Sequence, residues 1–336
     1  MPRQEGYIQI RVEELTRKGI RALRKAGVPQ DEAEIIARSL VEADQRGVYT
    51  HGCVCLPRYI ALMRAGRMNI RCAYQVLRST PAMEVWDGLR SNGQLLGHKA
   101  MLRAMELAKQ CGIGLVGVRS SNHFGAGAYY AQLAQRSGMI GIAMSTGAST
   151  MAPWGGADRL IGNNPLAVAV PARKHLPLVL DMAQSVVAFG QISKYKLEGK
   201  STLPEGWALD RQGNPTTDVD AAYTVLPVGK HKGFGMSLMV DVLSGILLGA
   251  GTGDAAGDDQ DGPGCLMIAL NIPSFTEADA FADAVDARIE ALKHSTLRPG
   301  VRQIYMPGEM EGLSAREAAE QVWIHPSIVA QLDALL

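Results

Sequence analysis

Ser121-Asn122-His123-Phe124-Gly125-Ala126-Gly127-Ala128-Tyr129-Tyr130 decides what kind of fold this chain can have. The stretch follows an apolar run, Ile113 to Val118, and opens a helix expected over Ala128–Arg136, which is the setting of a dinucleotide-binding turn. Two parts of that fingerprint are missing. Its third glycine is replaced by Tyr130, and no acidic residue stands about twenty positions on to hold a ribose hydroxyl. A second candidate, Gly249-Ala250-Gly251-Thr252-Gly253, follows a helix rather than a strand and fails on context. Any dinucleotide bound here must be held by an architecture other than the Rossmann one.

Outward from that stretch the hydrophobic period changes twice. Val12, Leu15, Ile20 and Leu23 recur at helical spacing until Gly27-Val28-Pro29 breaks the pattern. Asp31 reads as the N-cap of a second helix presenting Ile35, Ile36, Leu40 and Val41, which runs toward Thr50-His51-Gly52. From about Tyr74 strand-like segments take over at Gln75–Leu77, Met83–Trp86, Ile113–Val118, Ile140–Ser145, Leu166–Val170, Leu178–Leu180 and Leu266–Leu270. Helices are expected between them at Ser91–Gln110, near Val186, at Met236–Leu248 and at Glu277–Lys293. Gly249 to Gly264, rich in aspartate and glycine, reads as a loop. The fold class is therefore α/β, a mixed sheet with helices. Residues 1–73 form an N-terminal helical segment packing with residues 276–336, around an α/β core over residues 74–275 that binds cofactor and substrate. His123 and Asp181 are expected just past the C-terminal ends of strands, where open α/β sheets bind ligands.

Composition narrows the partners. The 336 residues are 47% hydrophobic and 20% charged, ordinary for a packed protein. A net charge of +1 gives no general pull toward nucleic acid or anionic membrane, and 5% aromatics is sparse for a base-stacking surface. The N-terminus lacks the apolar segment of a signal peptide, and no apolar run approaches the roughly 18 residues that cross a bilayer. Five cysteines, an odd number, point to reduced thiols and a cytoplasmic location.

The chemistry lies in short polar islands that follow apolar segments. His51 sits beside a glycine at a helix end, and an imidazole near its intrinsic pKa of about 6.5 exchanges protons at neutral pH. Asp181, in Leu180-Asp181-Met182-Ala183, either orients that ring through one nitrogen or caps a following helix at Ala183–Ala188. His123 leaves its strand through Asn122 and Gly125. His51, Cys53 and Cys55 form an H-x-C-x-C cluster, but structural zinc needs four ligands and no second pair lies downstream, so no metal is expected. A hydrolase reading lacks a nucleophile, since Ser121 and Ser145 sit in no G-x-S-x-G elbow.

The order and spacing of these islands resemble the lactate/malate dehydrogenase-like family of non-Rossmann NAD(P)-dependent oxidoreductases. That family includes ureidoglycolate and sulfolactate dehydrogenases, diketogulonate reductase and piperideine-2-carboxylate reductase. The likeness is carried by Asn122-His123-Phe124-Gly125, Gly162-Asn163-Asn164-Pro165-Leu166-Ala167, Leu180-Asp181-Met182-Ala183, Gly206-Trp207-Ala208-Leu209-Asp210 and His231-Lys232-Gly233-Phe234-Gly235, and it extends to Met306-Pro307-Gly308-Glu309. It implies a sulfolactate-dehydrogenase-like fold, a homodimer with its site near the subunit interface, and NAD(P)H as cofactor.

The resemblance also implies roles. His51 would be the general acid/base, paired with Asp181, and His123 would border both substrate and nicotinamide. Phe124, Gly125, Leu180, Asp181, Met182, Ala183, His231, Lys232, Gly308 and Glu309 would line the cofactor. Thr50, Cys55, Arg58 and Asn163 would lie on the substrate side. Three of these depart from the family pattern: Thr50 replaces serine, Asn163 replaces threonine, and Cys55 replaces an arginine that clamps the substrate carboxylate. The last change implies an atypical 2-oxo acid or cyclic imino acid as substrate, with Arg58 as the nearest replacement. The competing reading is a catalytically silent relative that binds a nucleotide or metabolite.

Overall fold

The computed structural model describes residues 6–197, 199–253 and 262–336. The N-terminal residues open with β1 (Ile8–Arg11), followed by α1 (Val12–Lys25), α2 (Gln30–Gln45) and α3 (Leu56–Arg64). Leu15, Ala22 and Leu23 on α1 and Ile36, Ala37 and Leu40 on α2 are buried against one another, the expected result of an apolar stripe at helical period. The N-cap of α2 is Pro29, whose fixed φ suits a helix start, so Asp31 falls inside the first turn instead of capping it.

The change of period near residue 74 marks the start of the sheet. Its strands are β2 (Gln75–Ser79), β3 (Met83–Asp87), β4 (Ile113–Arg119), β5 (Ile140–Ser145), β6 (Leu166–Val170) and β7 (Leu178–Met182), with helices α4 (Gly93–Cys111) and α5 (Gly127–Arg136) between them. A short α6 (Phe189–Leu197) leads to a small three-stranded sheet of β8 (Ala208–Leu209), β9 (Pro215–Thr216) and β10 (Thr224–Val225). Then come α7 (His231–Ser244) and β11 (Cys265–Leu270). The order across the seven-stranded sheet is β2-β3-β4-β11-β5-β6-β7, and only the β3–β4 pair is parallel. The fold is thus the expected mixed α/β sheet.

Alternation along β11 shows how the layers form. Cys265, Met267 and Ala269 join the core beneath α4 and α5, whereas Leu266 and Ile268 face Val240 of α7 on the opposite side. Ala143, Ala167 and Ala169 keep the first face shallow, which lets α5 lie close to the sheet.

The chain closes with α8 (Ala278–Lys293), α9 (Glu309–Glu317), β12 (Gln321–Ile324) and α10 (Pro326–Leu335). β12 pairs antiparallel with β1, and Ile328 and Leu332 of α10 join the core of α1 and α2. Helix α8 goes elsewhere. Arg173 pairs with Asp279 and Asp283, and the backbone N–H groups of Lys174 and His175 donate to Asp286, so α8 is anchored at the β6–β7 turn. The residues after 275 therefore split between two neighbourhoods.

Several expected boundaries move. The helix near Val186 begins at Phe189, and α7 starts at His231 and ends at Ser244, where a 3-10 turn over Ile246–Leu248 follows. Residues 254–261, within the loop read from Gly249 to Gly264, lie outside the described residues. No helix among the described residues is long and apolar enough to cross a membrane.

Candidate active site

Because β3 and β4 run parallel, their C-terminal ends open side by side. Arg90 follows β3 and His123 follows β4. The two exits are laced together: Gly88 N donates to Arg119 O at 2.8 Å, Arg90 N to Ser120 O at 2.8 Å, and the Asn122 amide to Arg90 O at 2.9 Å. Leu89, Arg90 and Ser120 all take positive φ, at 49°, 55° and 48°. Such backbone costs on the order of 1–3 kcal/mol per residue and concentrates where a site must be shaped.

His51 arrives from the other layer. A 3-10 turn over Tyr49–His51 follows α2, and the turn is pinned by buried Asp44, whose carboxylate accepts from Cys53 N at 2.9 Å. Gly52 lies directly on this carboxyl: a Cβ there would stand 1.9 Å from Asp44 Oδ1. The result brings His51 and His123 together, their rings stacked with centroids 5.6 Å apart and planes 23° from parallel. His51 Nδ1 is 2.9 Å from Thr50 Oγ1, and His123 Nδ1 is 2.7 Å from the hydroxyl of Tyr59. Burial lowers both imidazoles; for His123, burial together with His51 and Arg58 brings the pKa down to about 3.

A cavity of about 640 Å³ runs from this pair across the mouth of the sheet. It is electrically divided. Arg58 lines it and acts on His123, with Arg67 and Arg90 also in the lining, while a separate group brings Glu42, Asp181 and Glu311 onto the Arg46 guanidinium. The walls between are flat and small, with Gly125, Ala126, Gly127, Ala128, Ala183 and Gly308 among them.

Asp181 differs from both sequence readings. It lies within β7, opposite Ala167, and not beyond the strand. Its carboxylate accepts from Ala128 N at 2.8 Å, and so caps α5 across the sheet. The described contacts give it no hydrogen bond to His51, and no helix occupies Ala183–Ala188 for it to cap. Burial by the walls raises its carboxyl to about 6, against the lowering effects of the Ala128 N–H and Arg46. The glycine-rich turn thus has the N–H of Ala128, the second residue of α5, occupied by the protein's own carboxylate.

Of the other residues singled out in the sequence, Thr50, His51, Arg58, His123, Phe124, Gly125, Asn163, Leu180, Asp181, Ala183 and Gly308 all line the cavity. Met182, Cys55, His231, Lys232 and Glu309 do not. The Cys55 thiol turns away to donate to Thr50 O at 3.4 Å. Glu309 accepts from Lys293 at 2.5 Å and from Met306 N at 2.8 Å, which closes its own loop. His231 and Lys232 are exposed at the start of α7. Tyr59, Arg90, Asp44 and Glu311 are present without having been anticipated. For Arg90 a signal existed: it follows a strand and precedes the helix cap Asn92, as His123 follows its own strand.

Asp44 also makes a prediction. It is 1% exposed, its Oδ1 has no hydrogen-bond partner among the described residues, and burial raises its pKa from the usual 3.8 to about 7, against the lowering effect of the Cys53 N–H. A carboxyl with a folded pKa above its unfolded value takes up a proton on folding, so this contribution to stability is lost as pH rises from about 4 through 7. Asp44→Asn keeps the acceptor for Cys53 N and removes the titration. Thermal midpoints should match wild type at pH 4 and exceed it increasingly from there to pH 8; a variant that is less stable at both ends would refute the assignment.

A family model described as malate/L-lactate dehydrogenase matches residues 10–333. The chain is 38% identical over 318 residues to malate dehydrogenase of Pyrococcus abyssi, covering 91% of this chain and 87% of that one. It is 37% identical over 320 residues to L-sulfolactate dehydrogenase of Methanocaldococcus jannaschii, covering 93% and 92%. Among solved structures, malate dehydrogenase from Pyrococcus horikoshii OT3 superposes with a TM-score of 0.89 at 34% identity, covering 99% of this chain and 95% of that one. With its mixed sheet, its shared length and these matches, the chain belongs to the malate/L-lactate dehydrogenase family and is an NAD(P)-dependent dehydrogenase.

Proposed function

We propose that the chain moves a hydride reversibly between a nicotinamide nucleotide and the 2-carbon of a 2-oxo/2-hydroxy acid or cyclic imino acid. The observation that carries this reading is the stacked His51–His123 pair at the arginine-lined end of one cavity. The residues fit such a nucleotide. The cavity has flat glycine and alanine walls against which a planar ring packs, and its far end offers Glu311 and Asp181 as acceptors for ribose hydroxyls. When bound, the nicotinamide supplies or accepts the hydride. The protein's own part is to orient the acid, exclude water and hold the proton. In the reducing direction His51 gives a proton to the substrate oxygen or nitrogen; in the oxidising direction it takes one. His123 donates a hydrogen bond to the same atom.

The substrate carboxylate goes to Arg58. Supporting this are the retreat of Cys55 toward Thr50 and the opening of Arg58 onto the cavity near His123. Arg90 and Arg67 extend the cationic rim, which favours a larger or doubly charged acid over pyruvate. A charge-assisted bond to a carboxylate is worth about 1.5–3 kcal/mol. Arg58→Gln is therefore expected to raise KM for the preferred 2-oxo acid by about ten- to a hundredfold with a smaller change in kcat. A KM unchanged in the variant would place the carboxylate elsewhere.

The apolar outer face of α7, with Met236, Met239 and Leu243, and the neighbouring Ile246 and Leu247 at 65% and 66% exposed, supports a homodimer. All five cysteines are free, which supports a reducing, cytoplasmic setting. The direct test is fluorescence titration with NADH and NADPH, followed by their consumption with pyruvate, oxaloacetate, sulfopyruvate and piperideine-2-carboxylate. Binding without turnover of any of the four would overturn the substrate reading.

A further inference from the structure

We propose that Tyr59 is a positioning residue that holds His123 in its Nε2–H tautomer, making His123 a neutral hydrogen-bond donor and leaving His51 to carry the exchanged proton. This deepens the proposed hydride transfer and rests on it for its catalytic meaning, although the tautomer itself does not.

The argument starts from one buried proton. Tyr59 is 0% exposed on α3, and its hydroxyl lies 2.7 Å from His123 Nδ1. Either the phenol donates to an unprotonated Nδ1, or a protonated Nδ1 donates to the phenol oxygen. In the second case the phenol proton needs another acceptor. Its other polar neighbour is the Cys55 thiol, a weak acceptor, which already spends its own proton on Thr50 O. Burying a hydroxyl on so poor a partner is the costlier arrangement. The phenol therefore donates, Nδ1 is bare, and the neutral ring carries its hydrogen on Nε2.

The surroundings keep that ring uncharged. His51 is stacked on it, the Tyr59 ring lies tilted 6.0 Å away, and Arg58 stands nearby. Burial, His51 and Arg58 oppose a second proton, consistent with the drop to about 3. A neutral imidazole polarises a carbonyl through N–H without surrendering the proton. His51 is bound differently. Its Nδ1 meets the Thr50 hydroxyl, which donates or accepts equally well, so His51 passes between protonation states without losing that contact. Cys55, in place of the arginine of the resembled family, sits where it closes the chain from Thr50 through Tyr59 to His123.

Tautomers are read directly from imidazole 15N shifts in protein labelled at histidine, with the His123 signals assigned by their loss in His123→Ala. Near pH 7.5, wild type should show a protonated Nε2 and a bare Nδ1. The reverse pattern overturns the proposal, whether or not the chain turns over any acid in the substrate panel. Tyr59→Phe should mix the two tautomers and lower kcat about tenfold, below the about 10²–10³-fold cost of deleting such a donor outright, with KM within about twofold. Unchanged kcat and an unchanged tautomer in that variant also overturn it. If the variant does not fold, the wild-type spectrum still decides. A clean Nε2–H signal with no activity on the panel would separate the two proposals, sustaining the tautomer while sinking the substrate assignment.

Discussion

Replacing His51 with alanine is expected to lower kcat for 2-oxo acid reduction by about 10²–10⁴-fold, the range of a positioned general acid or base. Binding of NADH or NADPH, measured by fluorescence, should stay within about threefold, because the far end of the cavity is untouched. Direction matters as well. Burial holds the His51 pKa below the usual 6.5, so at neutral pH the ring is mostly uncharged. Oxidation of the hydroxy acid, which needs the free base, should plateau above that pKa. Reduction, which needs the protonated ring, should rise as pH falls toward it. A His51→Ala enzyme that retains a tenth or more of wild-type kcat would move the proton chemistry to another group.

Gly93→Ala is expected to have the second-largest effect, on both stability and activity. Gly93 opens α4 against the strand exit that carries His123. A Cβ there would lie 2.1 Å from Asn122 O and 2.7 Å from His123 O. These are backbone carbonyls, which cannot swing aside as a flexible side chain would, and the Asn122 side chain is itself held by its bond to Arg90 O. Overpacking of this kind costs about 1–3 kcal/mol, and relief comes only by moving the 122–123 segment off the His51 ring. The expected outcome is a lower thermal midpoint together with a kcat loss of about tenfold or more, read in the same preparation. A variant as stable and as active as wild type would show that the segment yields without cost.

The sheet was legible because its strands are short apolar runs bounded by turn residues, and seven of the predicted segments are strands of the large sheet. The terminal pair was not: Ile8–Arg11 and Gln321–Ile324 are four residues each and more than 300 positions apart, too short for their alternation to mark a strand. The two-residue strands at 208–225 are likewise set by tertiary contacts and not by propensity. At the site, the histidines and Asp181 stood out because their residue types carry proton chemistry. The contact made by Asp181 did not, since it crosses from one strand to the start of a helix 53 positions earlier. Tyr59 and Asp44 were hidden for another reason. A tyrosine in an apolar helix and an acid at a helix end read as packing and solvation until the fold buries them beside an imidazole and a turn.

The link from Asp181 to the first turn of α5 has one more consequence. A loop that waits for an incoming phosphate keeps its donors unpaired until that ligand comes, and it commonly reshapes on arrival. Here the counter-charge is covalently part of the chain, so Asp181 fixes the start of α5 without help from a ligand. Transplanting the missing glycine to position 130 would still leave the Ala128 N–H committed to Asp181 and a carboxylate beside the turn, which repels a phosphate.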